Sequence, residues 1–170
     1  MLREAGFQFR VETRDTDESY PADLEAAEVA AYIARKKAAA FEQIPDRHIL
    51  ITADTVVKVD KNVLGKPANR DEAFDMIRLM SARSHEVITG VTLKSSTKEI
   101  TFSHTTKVYF RALSDQEIYY YIDEYQPFDK AGAYGIQEWL GMVGITRIEG
   151  SYFNVVGLPI HALHEALHTF

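Results

Sequence analysis

The chain has 170 residues, enough for one domain of one or two lobes, and its hydrophobic content of 46% and charged content of 26% are ordinary for a globular protein. It contains no cysteine, which excludes disulfides and thiolate metal sites, and no long apolar run or signal-peptide pattern, so we expect a cytoplasmic protein without a membrane partner. A net charge of −6 argues against broad binding to nucleic acid but permits a local cluster of lysines that faces one phosphorylated small molecule.

The N-terminal part predicts a strand followed by a long helix. Phe7, Phe9 and Val11 alternate with polar residues, which is the period of a half-buried strand. A polar, acidic segment comes next, and residues 21–44 then read as a helix with Pro21 in its first turn. We expect an apolar stripe along this helix, formed by Leu24, Val29, Ile33 and Phe41.

The next segment predicts two extended pieces joined by a turn, with an acid in the first. Residues 49–52 read as a buried strand that continues through residues 55–59, and the sequence DKN turns the chain back to Val63 and Leu64. Asp54 interrupts this apolar run. A buried acid is costly unless it is paired, hydrogen-bonded or bound to a cation, so Asp54 marks a candidate site.

The middle of the chain predicts a helix and a hairpin. Residues 69–81 form the helix, with Asn69 or Asp71 near its cap. Two β-rich segments follow at residues 85–93 and 99–113, and the polar sequence KSSTK between them is typical of a hairpin turn.

The C-terminal part begins with a third helix over residues 114–125, in which Ser114 is the N-cap and Glu117 holds the capping-box position. The glycine-rich residues 129–144 show little periodicity and are more typical of a functional loop. The chain is predicted to end with a strand over residues 145–150 and an amphipathic helix over 157–170 that Pro159 opens. Because helices and strands are mixed throughout, we predict an α/β fold with a mixed sheet.

Asp54 and Lys66 are the first candidates for chemistry. This acid and this base lie at opposite ends of one β-rich segment, an arrangement that suits a phosphorylated ligand and its metal. A structural ion pair between neighbouring strands explains the same spacing and is common.

Charged residues near the first helix allow two interpretations each. Lys36 and Lys37 could face a ligand, but solvated cations are also favoured near the C-terminus of a helix. Asp15, Asp17 and Glu18 could bind a divalent ion through oxygen, although such a run is more often a solvated loop. In the glycine-rich loop, Asp129, Lys130 and Gln137 surround glycines that would let a backbone approach a ligand closely, which by itself is a weak signal.

Five segments, in order, resemble one family. They are ADTVV, LGKP, SARSHEVITGV, DKAGAYGIQ and GSYFNVVGLP. Each is weak alone, but together they resemble the Maf family of nucleoside triphosphate pyrophosphatases, also described as septum-formation inhibitors. The wording of DKAGAYGIQ is similar to the branch that acts on dTTP and UTP.

The resemblance implies an activity and a set of site residues. The enzymes hydrolyse the bond between the α- and β-phosphates, releasing a nucleoside monophosphate and pyrophosphate, and need a divalent cation, usually Mg²⁺ or Mn²⁺. By resemblance Asp54 is the proton acceptor, Thr55 and Gln137 match positions linked to substrate choice, and a homodimer is plausible. Glu18, Lys37 and Lys66 match further family positions.

Those assignments agree with the chemistry of phosphate transfer, which depends mostly on positioning and charge stabilisation. Lys37 and Lys66 would hold the phosphates, and Glu18 and Asp54 would hold the cation. Asp54 would also orient and deprotonate the attacking water. We therefore expect one two-lobed Maf-like domain over residues 1–170, with a twisted sheet flanked by helices and Asp54, Lys66 and Gln137 in a central cleft.

Three departures from the family pattern qualify this expectation. The family normally begins earlier, with a strand and a Ser-x-Ser-Pro-Arg-Arg loop, whereas this chain begins at a segment that resembles the following helix. One arginine in phosphoryl transfer is worth about 10³–10⁵ in rate, so the alternative is a catalytically impaired nucleotide-binding or division-associated protein. In addition, Ala82 and Glu138 stand where the family usually has glycine.

Overall fold

A five-stranded sheet forms the centre of the computed structural model, which describes residues 1–170. In chain order the strands are β1 (Leu50–Val59), β2 (Asn62–Leu64), β3 (Ser84–Lys94), β4 (Glu99–Phe110) and β5 (Ile145–Glu149). Their spatial order is β2-β1-β3-β4-β5, and every neighbouring pair is antiparallel. The helices are α1 (Ala26–Ala39), α2 (Arg70–Met80), α3 (Asp115–Tyr125), α4 (Trp139–Gly144), α5 (Tyr152–Val156) and α6 (Ile160–Thr169), with a short 3₁₀ turn at Ala131–Ala133.

The predicted α/β fold is confirmed, but the sheet is antiparallel rather than mixed. Tight turns join β1 to β2 and β3 to β4, and such hairpins pair antiparallel neighbours. The helix α2 does not act as a crossover between parallel neighbours, because β3 pairs with β1 in the opposite direction. The mixture of helices and strands in the sequence was therefore a poor guide to strand direction.

The N-terminal predictions need correction. Residues 7–11 form no strand, and Phe9 and Val11 are exposed because no partner strand lies beside them. The helix α1 begins at Ala26 instead of Pro21 and ends at Ala39. At that end, the Lys94 ammonium donates hydrogen bonds to the carbonyls of Ala38 and Phe41.

One face of the sheet packs against α1. The side chains of alternate β1 residues point to this face: Thr52 bonds to the Ala34 carbonyl, and Val56 belongs to a cluster with Val29. The helix presents small residues to the sheet, since Ala30, Ala34 and Ala38 are fully buried. The contact is closest at Gly90, where an added Cβ would lie 2.3 Å from the Ala31 nitrogen.

The opposite face carries the larger core. Val57, Val59 and Val87 pack there with α2, α3 and the loop that follows α3, in a cluster of 17 buried residues. The helix α3 begins at the predicted capping box, in which Ser114 and Glu117 satisfy each other's backbone groups. None of the helices has both the length and the apolar character needed to cross a bilayer.

The strand β2 covers only part of the edge of β1. It pairs with Val57, Lys58 and Val59, which leaves Leu50–Val56 without a partner on that side. The side chains of consecutive strand residues point to opposite faces of a sheet. Asp54 and Thr55 therefore approach this open edge from different faces. The candidate site lies at this edge.

Candidate active site

A cleft of about 320 Å³ lies at the open edge of β1. Four of the residues predicted to form the site line it, namely Asp54, Thr55, Lys66 and Gln137, so the predicted central cleft holds them together. They come from three elements: β1, the turn after β2, and the glycine-rich loop. The remaining lining residues are Ala53, Val57, Val87, Asp129, Lys130, Ala131, Tyr134, Gly135, Val155, Val156 and Gly157.

The partner of Asp54 is Lys37. The ammonium of Lys37, in the last turn of α1, lies 2.6 Å from Asp54 Oδ1. The Asp54 side chain is 11% exposed and that of Lys37 is 24% exposed, so this ion pair is partly withdrawn from solvent. The interpretation of Lys37 as a solvated cation is therefore wrong.

Glu18 bridges the two lysines of the predicted phosphate site. Its Oε1 lies 2.8 Å from the Lys37 ammonium, and its Oε2 lies 3.4 Å from that of Lys66. The alternative interpretation of Asp54 and Lys66 as a direct ion pair is wrong, because the partner of Lys66 is Glu18. The neighbouring acids Asp17 and Glu18 have different partners, since Asp17 pairs with Lys36 at 2.8 Å outside the cleft.

Burial and charge shift the ionisation of this cluster. Burial raises the pKa of Asp54 above its ordinary value, although the hydrogen bond and charge of Lys37 oppose that change. For Lys37, burial lowers the pKa, but the hydrogen bonds that its ammonium donates to Asp54 and Glu18 outweigh burial, and the net pKa is raised. The Lys37 hydrogen bond holds the pKa of Glu18 below its ordinary value. A carboxylate of raised pKa beside a charged lysine is a suitable proton acceptor.

The donor set fits a hard divalent cation shared with a ligand. Asp54 and Glu18 offer only oxygen atoms, and both approach the same lysine nitrogen, which brings them together. No group of three or more histidine, aspartate or glutamate residues forms a site that could hold a metal by itself. Mg²⁺ is commonly bound by one or two carboxylates plus substrate phosphates, and the two carboxylates present here match that mode.

Thr55 is held by a buried chain of hydrogen bonds on the other face of the sheet. Its Oγ1 lies 2.8 Å from Thr89 Oγ1, and the Thr89 hydroxyl donates to the carbonyl of Asn154 at 3.0 Å. The side chain of Asn154 in turn donates to the Val87 carbonyl. Sequence reasoning missed Thr89 and Asn154, because they meet across 65 residues and neither lies in a charged motif.

The glycine-rich loop forms the opposite wall of the cleft, and it includes the 3₁₀ turn and α4 that the sequence did not predict. Gly132 donates to the Gly65 carbonyl at 2.9 Å, which ties the loop to the turn before Lys66. A Cβ at Gly132 would lie 2.8 Å from a Val57 methyl group, and the φ of this residue is +69°. The wall is thus held close to β1 at a residue that only glycine fits without strain.

A histidine lies buried behind this wall. His85 is 2% exposed, and its Nε2 shares a hydrogen bond of 2.7 Å with the hydroxyl of Tyr134, which lines the cleft. The other ring nitrogen has no partner. Burial lowers the pKa of His85 to about 4, so the ring is neutral at neutral pH. This hydrogen bond links β3 to the glycine-rich loop.

Comparison with known proteins agrees with the resemblance seen in the sequence. The family model described as Maf-like protein matches residues 1–170. A dTTP/UTP pyrophosphatase of Bacteroides thetaiotaomicron is 51% identical over 154 residues, which cover 90% of this chain and 80% of that protein. The protein of the same name from Parabacteroides distasonis is 48% identical over 165 residues (96% and 85%), and that from Flavobacterium johnsoniae is 46% identical over 169 residues (99% and 87%).

Proposed function

This chain belongs to the Maf-like protein family, and from that premise we propose that it is a nucleoside triphosphate pyrophosphatase that hydrolyses dTTP and UTP. The products would be a nucleoside monophosphate and pyrophosphate. The observation that carries the proposal is the partly buried Asp54–Lys37 pair at the edge of a cleft that also contains Lys66, Thr55 and Gln137.

The charge of the cleft explains why a divalent cation belongs to the proposal. Three lysines and four carboxylates lie in and beside the cleft, and together they carry a formal charge of −1. They are Lys37, Lys66 and Lys130, and Glu18, Asp54, Asp129 and Glu138. A nucleoside triphosphate carries about four negative charges, which such a cleft does not neutralise. Bound Mg²⁺ or Mn²⁺, held by Asp54 and Glu18, would supply Lewis-acid neutralisation of the phosphate charge.

In the proposed mechanism Asp54 orients a water molecule and accepts its proton. The water oxygen adds to phosphorus, and the bond that joins the α- and β-phosphates through oxygen breaks. Pyrophosphate leaves with the bonding electron pair, and Lys37 and Lys66 stabilise the negative charge that develops. Because Asp54 lies on a strand and Lys37 on a packed helix, these groups require little reorganisation during the reaction.

Thr55 and Gln137 would contact the substrate and influence the choice of base. Both line the cleft, and Gln137 also borders a second, more open groove beside α4 and β5. The homodimer is proposed from the family resemblance alone, and the cytoplasmic location is proposed from the composition of the chain.

The test measures pyrophosphate release from a panel of eight ribonucleoside and deoxyribonucleoside triphosphates with Mg²⁺ or Mn²⁺. We expect turnover of dTTP and UTP, and a loss of about 10²–10⁴-fold in kcat for Asp54→Asn. Asp75→Asn is the matched control, since Asp75 is exposed on α2 outside the cleft. Absence of turnover of every pyrimidine triphosphate by the folded protein would reject the proposal, and calorimetric binding of dTTP without turnover would support the non-catalytic alternative.

A further inference from the structure

Lys130, on the loop wall of the cleft, is a charged group to which the proposed mechanism assigns no contact. Its side chain is 22% exposed and lines the same cleft as Lys66 and Gln137. We propose that Lys130 is a third lysine that binds the polyphosphate of the substrate, and that Tyr121 positions it through Glu138. This inference rests on the proposed function for the class of substrate and adds residues that contact or orient it.

The hydrogen bonds of Lys130 leave it a donor for a ligand. Its ammonium lies 2.8 Å from Asp129 Oδ1 and 3.2 Å from Glu138 Oε1. A lysine ammonium has three N–H donors, so two carboxylate partners leave one for a phosphate oxygen. Burial lowers the pKa of Lys130, but the bonds that it donates to Asp129 and Glu138 raise it by more, so the net pKa is raised and the ammonium stays charged.

The Glu138 carboxylate is held by a hydrogen bond from a buried tyrosine of α3. The hydroxyl of Tyr121, on α3, donates to Glu138 Oε2 and accepts the N–H of Gly135 at 2.9 Å. Tyr121 is fully buried, and Glu138 is 19% exposed. The path from the core to the ammonium therefore runs from Tyr121 to Glu138 to Lys130, and each link is a hydrogen bond or an ion pair.

Gly135 makes room for this arrangement. A Cβ at that residue would lie 2.9 Å from the Glu138 carboxyl carbon and 3.1 Å from Lys130 Cε. The absence of a side chain lets both groups lie against the loop backbone at the cleft. Glu138, which departs from the family pattern, is thus the acceptor that sets the position of Lys130.

The competing explanation is that Lys130 only ties the loop together through its two carboxylate partners. A structural tie predicts that loss of the ammonium lowers stability without changing the affinity of the cleft for anions. A polyphosphate-binding lysine predicts weaker anion binding in a folded protein. Calorimetric titration with inorganic tripolyphosphate in Mg²⁺ buffer separates these outcomes without requiring turnover.

We expect Lys130→Met to weaken tripolyphosphate binding by about 10- to 100-fold, the usual size for a lost hydrogen bond to a charged group. Lys130→Arg, which keeps the charge, should retain most of the affinity and is the second variant should the methionine variant not fold. Lys61→Met is the matched control, because Lys61 is exposed at the β1–β2 turn outside the cleft. Unchanged affinity in folded Lys130→Met overturns the inference.

The positioning role of Tyr121 is tested by a double-mutant cycle. Tyr121→Phe should weaken tripolyphosphate binding by about 3- to 10-fold in the wild-type background and have no effect in the Lys130→Met background. Equal effects in the two backgrounds would show that Tyr121 does not act through Lys130.

Failure of this inference and failure of the proposed function are distinguishable. Tripolyphosphate binding that depends on Lys130, in a protein that hydrolyses no triphosphate, supports the inference and rejects the proposed reaction. Hydrolysis of dTTP with unchanged binding by Lys130→Met rejects the inference alone. Wild-type protein that does not bind tripolyphosphate overturns the inference as well.

Discussion

The two walls of the cleft are built in different ways. The charged wall consists of Asp54 on β1 and Lys37 on α1, and α1 packs against the backbone of the neighbouring strand β3 at Gly90. The loop wall, residues 129–138, contains no long element; Ala133, Tyr134 and Ile136 pack in the larger core, and hydrogen bonds to Tyr121 and His85 add polar contacts.

The difference assigns separate tasks to the walls. In the proposed reaction the proton acceptor must stay within hydrogen-bonding distance of the water, and a carboxylate on a packed strand meets that requirement. The substrate-binding groups must admit a nucleotide and release its products, and an exposed loop side chain such as Gln137 allows this. Changes to the charged wall should therefore affect folding or chemistry, whereas changes to the exposed side chains of the loop wall should affect binding.

The largest effect is expected from Gly90→Ala, which removes the close contact of the charged wall. Gly90 pairs directly with Asp54, and its Cβ would lie 2.3 to 2.5 Å from the backbone of Ala30 and Ala31. Because backbone atoms do not move aside easily, we expect a loss of about 3 kcal/mol or more of unfolding free energy. Urea titration measures this loss.

Gly65→Ala is the matched control for that experiment, since nothing lies within 4 Å of its added Cβ. It should change the unfolding free energy by less than about 0.5 kcal/mol. Similar losses for the two variants would contradict the account of the α1 contact.

The second effect concerns the buried histidine behind the loop wall. The pKa of His85 is about 4 in the folded protein, against about 6.5 in an unfolded chain. The unfolded state binds the proton more readily, so the contribution of His85 is complete above pH 6.5 and is lost as pH falls through 4. Its total is about 3 kcal/mol.

Urea titrations at pH 7 and pH 5 measure this contribution. His85→Gln should remove the part of the pH dependence that falls between those values, whereas His48→Gln, at an exposed position, should not. An unchanged pH dependence in folded His85→Gln would show that the buried ring is not its source.

The third effect separates the two tasks of Lys37. Lys37→Met should lower kcat/KM by about 10- to 100-fold through the lost contact to phosphate. It should also move the acid limb of the pH profile to higher pH, because the Lys37 bond and charge hold the pKa of Asp54 down against burial. Lys36→Met is the control, since Lys36 pairs with Asp17 outside the cleft. An acid limb that does not move would show that Asp54 is not the titrating base.

The two walls also differ in how much of them could be predicted from sequence. Features that depend on neighbouring residues were predicted correctly. The capping box at Ser114 involves residues three apart, and the segments that contain Asp54 and Gln137 were predicted to line one cleft, as they do. Contacts between distant segments were not predictable. The position of Lys37 depends on how closely α1 approaches Gly90, and Tyr121 reads from sequence as an ordinary core aromatic.

The smallest expected effect tests whether a buried hydroxyl on the sheet sets the base preference of the cleft. A threonine hydroxyl has one proton, and that of Thr89 is given to the Asn154 carbonyl. Thr55 must therefore donate its own proton to Thr89, which leaves Thr55 able only to accept from a ligand. Uracil and thymine carry an N3–H donor, whereas cytosine presents an unprotonated N3 at the same place.

Thr89→Val would free the Thr55 proton and lower the preference for UTP over CTP by about 5- to 10-fold, the usual size for one hydrogen bond. The ratio of kcat/KM for the two substrates measures it, with Thr92→Val as control, because Thr92 is equally buried but bonds to Thr101. Equal ratios in wild type and Thr89→Val would show that base choice does not depend on the polarity of Thr55.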